Sequence, residues 1–167
     1  PSALPILTDN ETLRPAIAKL WQWSNFNSKR NLATLYSASM GDAFIVVVDS
    51  PASGKAYMQV RRPSEFTDLE WDDFGHVKMA VMEYRAEDER GVAYTYKQVI
   101  EHPSVWGGAF TRYSTYKDNR PYAYPENVMD GQATWQWQVP YDFVPVVHIT
   151  FKDIGERYLD GVLYAAQ

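Results

Sequence analysis

The residues able to do chemistry in this 167-residue sequence are few and widely spaced. The three histidines are His76, His102 and His148. No two stand at i, i+2 or i, i+4, the spacings that turn two imidazoles toward one zinc ion from a strand or helix. His148 lies in the apolar run Val146-Val147-His148-Ile149. A core or half-exposed strand histidine is favoured there over a catalytic one. His102 ends a strand before Pro103, where a histidine can act as general base, but the sequence identifies no partner for it. Cysteine is absent, which excludes disulfides, thiolate zinc sites, iron–sulfur clusters and a Cys nucleophile. There is no G-x-S-x-G elbow, no Walker-type phosphate loop and no G-x-G-x-x-G turn. Gly107-Gly108 is most simply a turn or bulge.

The carboxylates concentrate in Ser64 to Asp73, which holds Glu65, Asp68, Glu70, Asp72 and Asp73. Such oxygens suit a hard cation, but the alternating acids and central glycine of a calcium loop are missing, so a solvated loop is the expectation. Glu101 and Asp142 are a conceivable glycosidase pair whose separation no sequence fixes. The basic pairs Arg61-Arg62 and Lys29-Arg30 could each meet phosphate, although pairing with nearby acids is favoured. Asn10-Glu11-Thr12 matches a glycosylation acceptor, a short pattern that arises easily by chance. Six tryptophans and twelve tyrosines exceed what a domain this size needs for its core. Aromatics on one strand face suit a carbohydrate platform, a stacking surface for single-stranded nucleic acid, a protein interface or core packing with polar tips outward. No catalytic, cofactor-binding or metal-binding residue stands out, and no cofactor is expected.

The elements that must position these groups follow from periodicity. Leu13, Ile17, Leu20 and Trp21 share a helix face, with Thr12 as the expected cap and Pro15 tolerated in the first turn. After a polar break at 24–28, Asn27 or Ser28 is expected to cap a second helix, striped by Leu32, Leu35, Tyr36 and Met40 and ended by Gly41. The continuous apolar run Ala43 to Val48 reads as a strand buried on both faces, and with Lys55 to Arg61 it makes a hairpin. Further strands are expected from Val77 to about Arg85, Val92 to Glu101, Phe110 to Tyr116 and Val144 to Phe151. Trp135 to Val139 alternates strictly, which would put Trp135 and Trp137 on one face. Lys117 to Gly131 reads as a long loop, and Ile154 to Gln167 as a weak helix. The sum is a single α+β domain over 1–167, two N-terminal helices followed by a mainly antiparallel sheet of about seven strands.

Composition narrows the class. Hydrophobic residues are 46% and charged residues 22%, values that argue against bulk disorder. The length suffices for a substantial core. The net charge is −5 and the pI near 5.2, so the chain lacks the basic footprint of a strong nonspecific nucleic-acid binder. No apolar run is long enough for a membrane helix, and the start Pro1-Ser2-Ala3-Leu4-Pro5 is not signal-peptide-like. Pro1 in place of an initiator Met is expected of a chain that was processed or cut from something longer.

Four stretches, taken in order, resemble the wing region of siphophage-type portal proteins of tailed bacteriophages. They are Leu20-Trp21-Gln22-Trp23-Ser24-Asn25-Phe26-Asn27, the helix end running into Gly41-Asp42-Ala43-Phe44-Ile45-Val46-Val47, Val60-Arg61-Arg62-Pro63-Ser64-Glu65-Phe66, and Val139-Pro140-Tyr141-Asp142-Phe143-Val144-Pro145-Val146-Val147-His148. The ordered combination carries the resemblance, over roughly residues 13 to 151; no single motif is specific. After Phe151 the stretch Gly155 to Gly161 departs from the family pattern, and clip, stem, crown, long helix and tunnel loop have no counterpart.

The resemblance implies a structural part of a phage or prophage virion and not an enzyme. Portal subunits form a ring, commonly of twelve, through which double-stranded DNA is packaged and ejected. The ring docks terminase, then neck proteins, while the wing on its outer side meets capsid, scaffold and adjacent subunits. The expected location is the capsid portal vertex after assembly in the host cytoplasm, with no membrane. Head-to-tail ring contacts join two different faces, and Trp106, Trp135 or Trp137 are candidates to sit there. The rival expectations are a carbohydrate-binding or glycan-active β-rich domain using surface tryptophans, and a small enzyme whose histidines and acids converge in one pocket.

Overall fold

Residues 9–50 and 54–150 of the computed structural model are described. The helix expected over 154–167 lies outside them. Helix α1 spans Leu13–Trp23, and the side chain of Asn10, not of Thr12, caps it. Asn10 Oδ1 accepts the backbone N–H groups of Thr12 and Leu13 at 3.0 and 3.1 Å, two of the donors a helix start leaves without intrahelical acceptors. Asn25 adopts a left-handed backbone (φ 49°) that turns the chain straight into α2, Phe26–Met40. That helix therefore starts before Asn27 or Ser28 and has no side-chain cap. Gly41, at φ 87°, ends it as expected.

The chain then forms the hairpin β1 (Asp42–Ser50) and β2 (Lys55–Arg61), in register from Phe44↔Arg61 to Ser50↔Lys55. The strand β11 (Val146–Thr150) returns to the other edge of β1, pairing Thr150 with Asp42 and Val146 with Val46. The first sheet therefore has the order β11-β1-β2. Phe44 and Val46 point into the core shared with the second sheet. Ala43, of opposite parity, is equally buried, and α2 packs on β1 and β2 while α1 packs on β2. Covering of both faces is what the unbroken apolar run 43–48 required.

The second sheet has the order β10-β6-β5-β4-β3, made of β3 (Phe66–Trp71), β4 (Val77–Glu87), β5 (Ala93–Glu101), β6 (Thr111–Lys117) and β10 (Gln136–Val139). The short β7 (Arg120–Pro121) pairs with β6, and β8 (Val128–Met129) with β9 (Gln132–Ala133) forms a ribbon. A single turn, α3 (Pro103–Trp106), separates β5 from β6. Every strand pairing among the described residues is antiparallel. The domain is thus α+β with two leading helices, as the sequence implied, but its strands form two facing sheets and a ribbon.

Three local expectations change. The acidic stretch 64–73 is not a loop: after a 3-10 turn at Pro63–Glu65 it is the edge strand β3. A bulge between Phe66 and Asp68 breaks the two-residue period, so Phe66 and Leu69 both face the core, three apart. Its acids lie on the outer side of an edge, where charge also deters strand-to-strand association. The segment 117–131 contains β7 and β8. The two indoles of 135–137 do not share a surface. Trp137 stacks on Tyr113 (5.2 Å between ring centres, 11° between planes), whereas Trp135 meets the edge of Tyr116, a residue of opposite parity on β6.

The core lies between the sheets. Phe44, Val46, Val144 and Val146 from one side meet Phe66, Leu69, Val77, Ala80, Met82, Ile100 and Tyr113 from the other. Ser24, wholly buried, ties the helices to the sheet by accepting the Met58 N–H at 2.7 Å.

Candidate functional site

The two sheets close tightly around Phe44 and open beyond Val46 into a cleft of about 230 Å³. Alternation decides most of its lining, β2 contributing Tyr57, Gln59 and Arg61, β4 Tyr84, β5 Tyr96 and Gln98, β6 Tyr113, and β10 Trp137 and Val139, while β1 borders it along Val46 to Asp49. Tyr141 follows β10, while Asp49 and Glu126 stand at the rim. Tyr84 stacks on Tyr96 at 5.0 Å, and the Tyr113 and Tyr141 hydroxyls meet at 3.2 Å. Burial pushes the Tyr96 and Tyr113 phenols far above the ordinary tyrosine value, and those of Tyr84 and Tyr141 in the same direction. The hydroxyls that Tyr84, Tyr96, Tyr113 and Tyr141 bring to the cleft are thus neutral throughout the ordinary pH range. Arg61 donates to Gln59 Oε1 and to Glu65 Oε2 at 2.9 Å, and its guanidinium sits 5.3 Å from the centre of the Tyr84 ring.

The histidines acquire distinct surroundings. His148 Nε2 lies 2.7 Å from Asp42 Oδ1, with the imidazole stacked on Phe44 at 4.7 Å. Asp42 is fully buried, and among the described residues its second oxygen, Oδ2, has no hydrogen-bond partner. His102 Nδ1 accepts the Ser104 N–H at 3.1 Å and so caps α3. His76 meets Asp72 at 3.2 Å, and Asp72 Oδ1 accepts the backbone N–H groups of Phe74 and His76. Desolvation pushes the Asp72 carboxyl up, but these donors outweigh it and hold its pKa below the usual carboxylate value. Asp72, His76, His102, Ser104 and Asp142 do line one hollow of about 260 Å³ beside Phe143. Asp72, His76, His102 and Ser104 are spent on turn and cap geometry, and no set of three His, Asp or Glu among the described residues stands ready to hold a metal ion.

The remaining sequence candidates disperse. Glu101 does not line that hollow; it takes bonds from Arg112 Nε and Nη2 at 2.8 Å each, so it and Asp142 do not flank a common substrate space. The acidic stretch is divided among local partners, Glu65 with Arg61 and Glu70 with Lys78. Arg62 bonds Tyr36, and Lys29 donates to the Met58 carbonyl. The tryptophans form no single platform: Trp21 packs on Phe26, Trp23 lies under Lys55, Trp71 lies near His148 and Trp106 stacks with Arg112. An apolar groove of about 540 Å³ runs beside α1, lined by Pro15, Ile17, Leu20, Trp23, Val47 and Ala56. The inter-sheet cleft was missed because its walls come from six strands; the one available signal was the same-face trio Tyr94, Tyr96 and Gln98, two members of which line it. No family model matches the chain, and no curated protein is similar to it in sequence.

Proposed function

We propose that this chain carries the wing of a phage or prophage portal subunit, a non-catalytic component of the ring through which DNA is packaged and ejected. The observation that supports the reading best is where the four resembling stretches lie. They are separated along the chain, but they supply the α1–α2 corner, the α2–β1 junction, the end of β2 with the turn into β3, and the return into β11. These pieces meet on one small sheet with its two helices, and β11 returns beside β1. The larger sheet is therefore a lobe inserted between β2 and β11 that leaves and rejoins a frame beside β1 while packing face to face on it, and frame and lobe together are what the resemblance assigns to the wing.

In this reading the partners are neighbouring copies, capsid or scaffold, terminase and neck proteins, and the location is the portal vertex of the virion. Double-stranded DNA passes through the ring bore and requires no basic face on the lobe, in keeping with the net charge of −5. Ring contacts join unlike faces. Trp135, the most open of the three at 38% exposure, remains a candidate for them, whereas Trp106 and Trp137 are only partly exposed. The test is electron microscopy with native mass measurement on the product of the full reading frame. The expected result is a closed ring with this lobe on its outer rim. A product that remains monomeric, or a ring with the lobe facing the bore, overturns the proposal.

A further inference from the structure

We propose that the cleft between the two sheets is a binding site for an organic cation, the side chain of a lysine or arginine presented by a protein partner. The inference rests on the cleft alone and stands or falls independently of the wing reading. Ring faces attract cations through their quadrupoles, most strongly where water is excluded. This cleft gathers Tyr57, Tyr84, Tyr96, Tyr113, Trp137 and Tyr141 around one space.

Charge supplies the second argument. Asp49 is close enough to Tyr113 and Tyr141, and Glu126 to Tyr96, for each carboxylate to disfavour ionisation of those phenols. Among the described residues neither Asp49 nor Glu126 has an ion-pair partner. The cation already in the cleft, Arg61, is neutralised by Glu65. Two exposed carboxylates thus stand at the rim of the cleft without an ion-pair partner among the described residues. The fold also uses this chemistry on itself: Arg61 lies over Tyr84, and Lys117 lies 4.4 Å from the centre of the Tyr94 ring. Size limits the occupant. At about 230 Å³ the space falls below the ~300–1,000 Å³ typical of drug-sized sites, which suits one side chain rather than an oligosaccharide.

The experiment labels the chain with 5-fluorotryptophan, assigns the Trp137 resonance through Trp137→Phe, and titrates five small probes. These are the Nα-acetyl N-methylamides of lysine, arginine and norleucine, together with cellobiose and chitobiose. The expected result is a saturable shift of the Trp137 signal with the lysine and arginine probes at millimolar concentration, and none with the other three. The double variant Asp49→Asn/Glu126→Gln alters only exposed side chains, and is expected to weaken the cationic probes at least tenfold. Equal binding of the norleucine probe, preferential binding of a disaccharide, silence with every probe, or unchanged affinity in the double variant each overturns the proposal.

Discussion

The buried pair Asp42–His148 gives the sharpest test of how the returning strand β11 is fastened to β1. Replacing His148 by Leu removes the imidazole that meets Asp42 Oδ1 at 2.7 Å and leaves a carboxylate with no exposure, whose other oxygen already lacks a partner among the described residues. Leaving a buried acceptor without its hydrogen-bond donor costs about 1–3 kcal/mol, because the survivor stays desolvated and unsatisfied. Loss of the stack on Phe44 adds about 0.5–1.5 kcal/mol. For a chain of this length each kcal/mol lowers Tm by about 2–4 °C, so a fall of roughly 3–18 °C is expected. The double variant Asp42→Leu/His148→Leu removes the stranded acceptor as well and should recover most of the loss, since replacing both partners of a buried hydrogen bond by apolar groups can be nearly neutral. Urea denaturation followed by circular dichroism, on the wild type, both single variants and the double, closes the cycle. A His148→Leu cost below about 1 kcal/mol, or single and double variants equal within about 0.5 kcal/mol, would refute the argument.

Three other outcomes are expected. Ile100→Ala, at a fully buried position in the shared core, should cost about 2–5 kcal/mol in the same assay, and a smaller cost would place the core elsewhere. Gly91→Ala should cost about 1–2 kcal/mol from backbone strain alone, because Gly91 sits at φ +75° in the β4–β5 turn with nothing within 4 Å of the added methyl; an unchanged urea midpoint would contradict it. Tyr96 and Tyr113 are held neutral by burial, so the folded state retains protons that the unfolded chain releases. Stability is therefore fully present below about pH 10 and declines as pH rises above it, and ultraviolet titration should show a phenol fraction that ionises only on unfolding; complete reversible ionisation near pH 10 in the folded protein would contradict it.

Local signals were legible where one element decides them. The stripe Leu13, Ile17, Leu20 and Trp21, the stop at Gly41 and the unbroken run 43–48 each have a single structural solution, and the structure adopts it. Around Phe66 legibility failed because one bulge residue shifts the inward face, turning an amphipathic edge strand into an apparent acidic loop. Division of the strands into two sheets is a long-range property: β1 pairs forward with β2 and, across nearly the whole domain, with β11. The cleft was illegible for the same reason, since Tyr57, Tyr96 and Trp137 meet only after both sheets have packed. His148 lies in a strand, as its apolar run implies, but its partner Asp42 lies 106 residues away, beyond the reach of any spacing rule.

The long wait between β1 and its second neighbour has a consequence for synthesis. The hairpin is complete at Arg61, while β11 begins at Val146, roughly 85 residues later. At about 5–20 residues per second, the ribosome needs some 4–17 s to deliver that strand. During this interval one side of β1 is an unsatisfied row of N–H and C=O groups on an apolar ribbon, the kind of edge that recruits a strand from another chain. Crowded nascent copies of the chain are therefore exposed to swapping at β1, and slowing translation between residues 61 and 146 should lower the yield of correctly closed lobes.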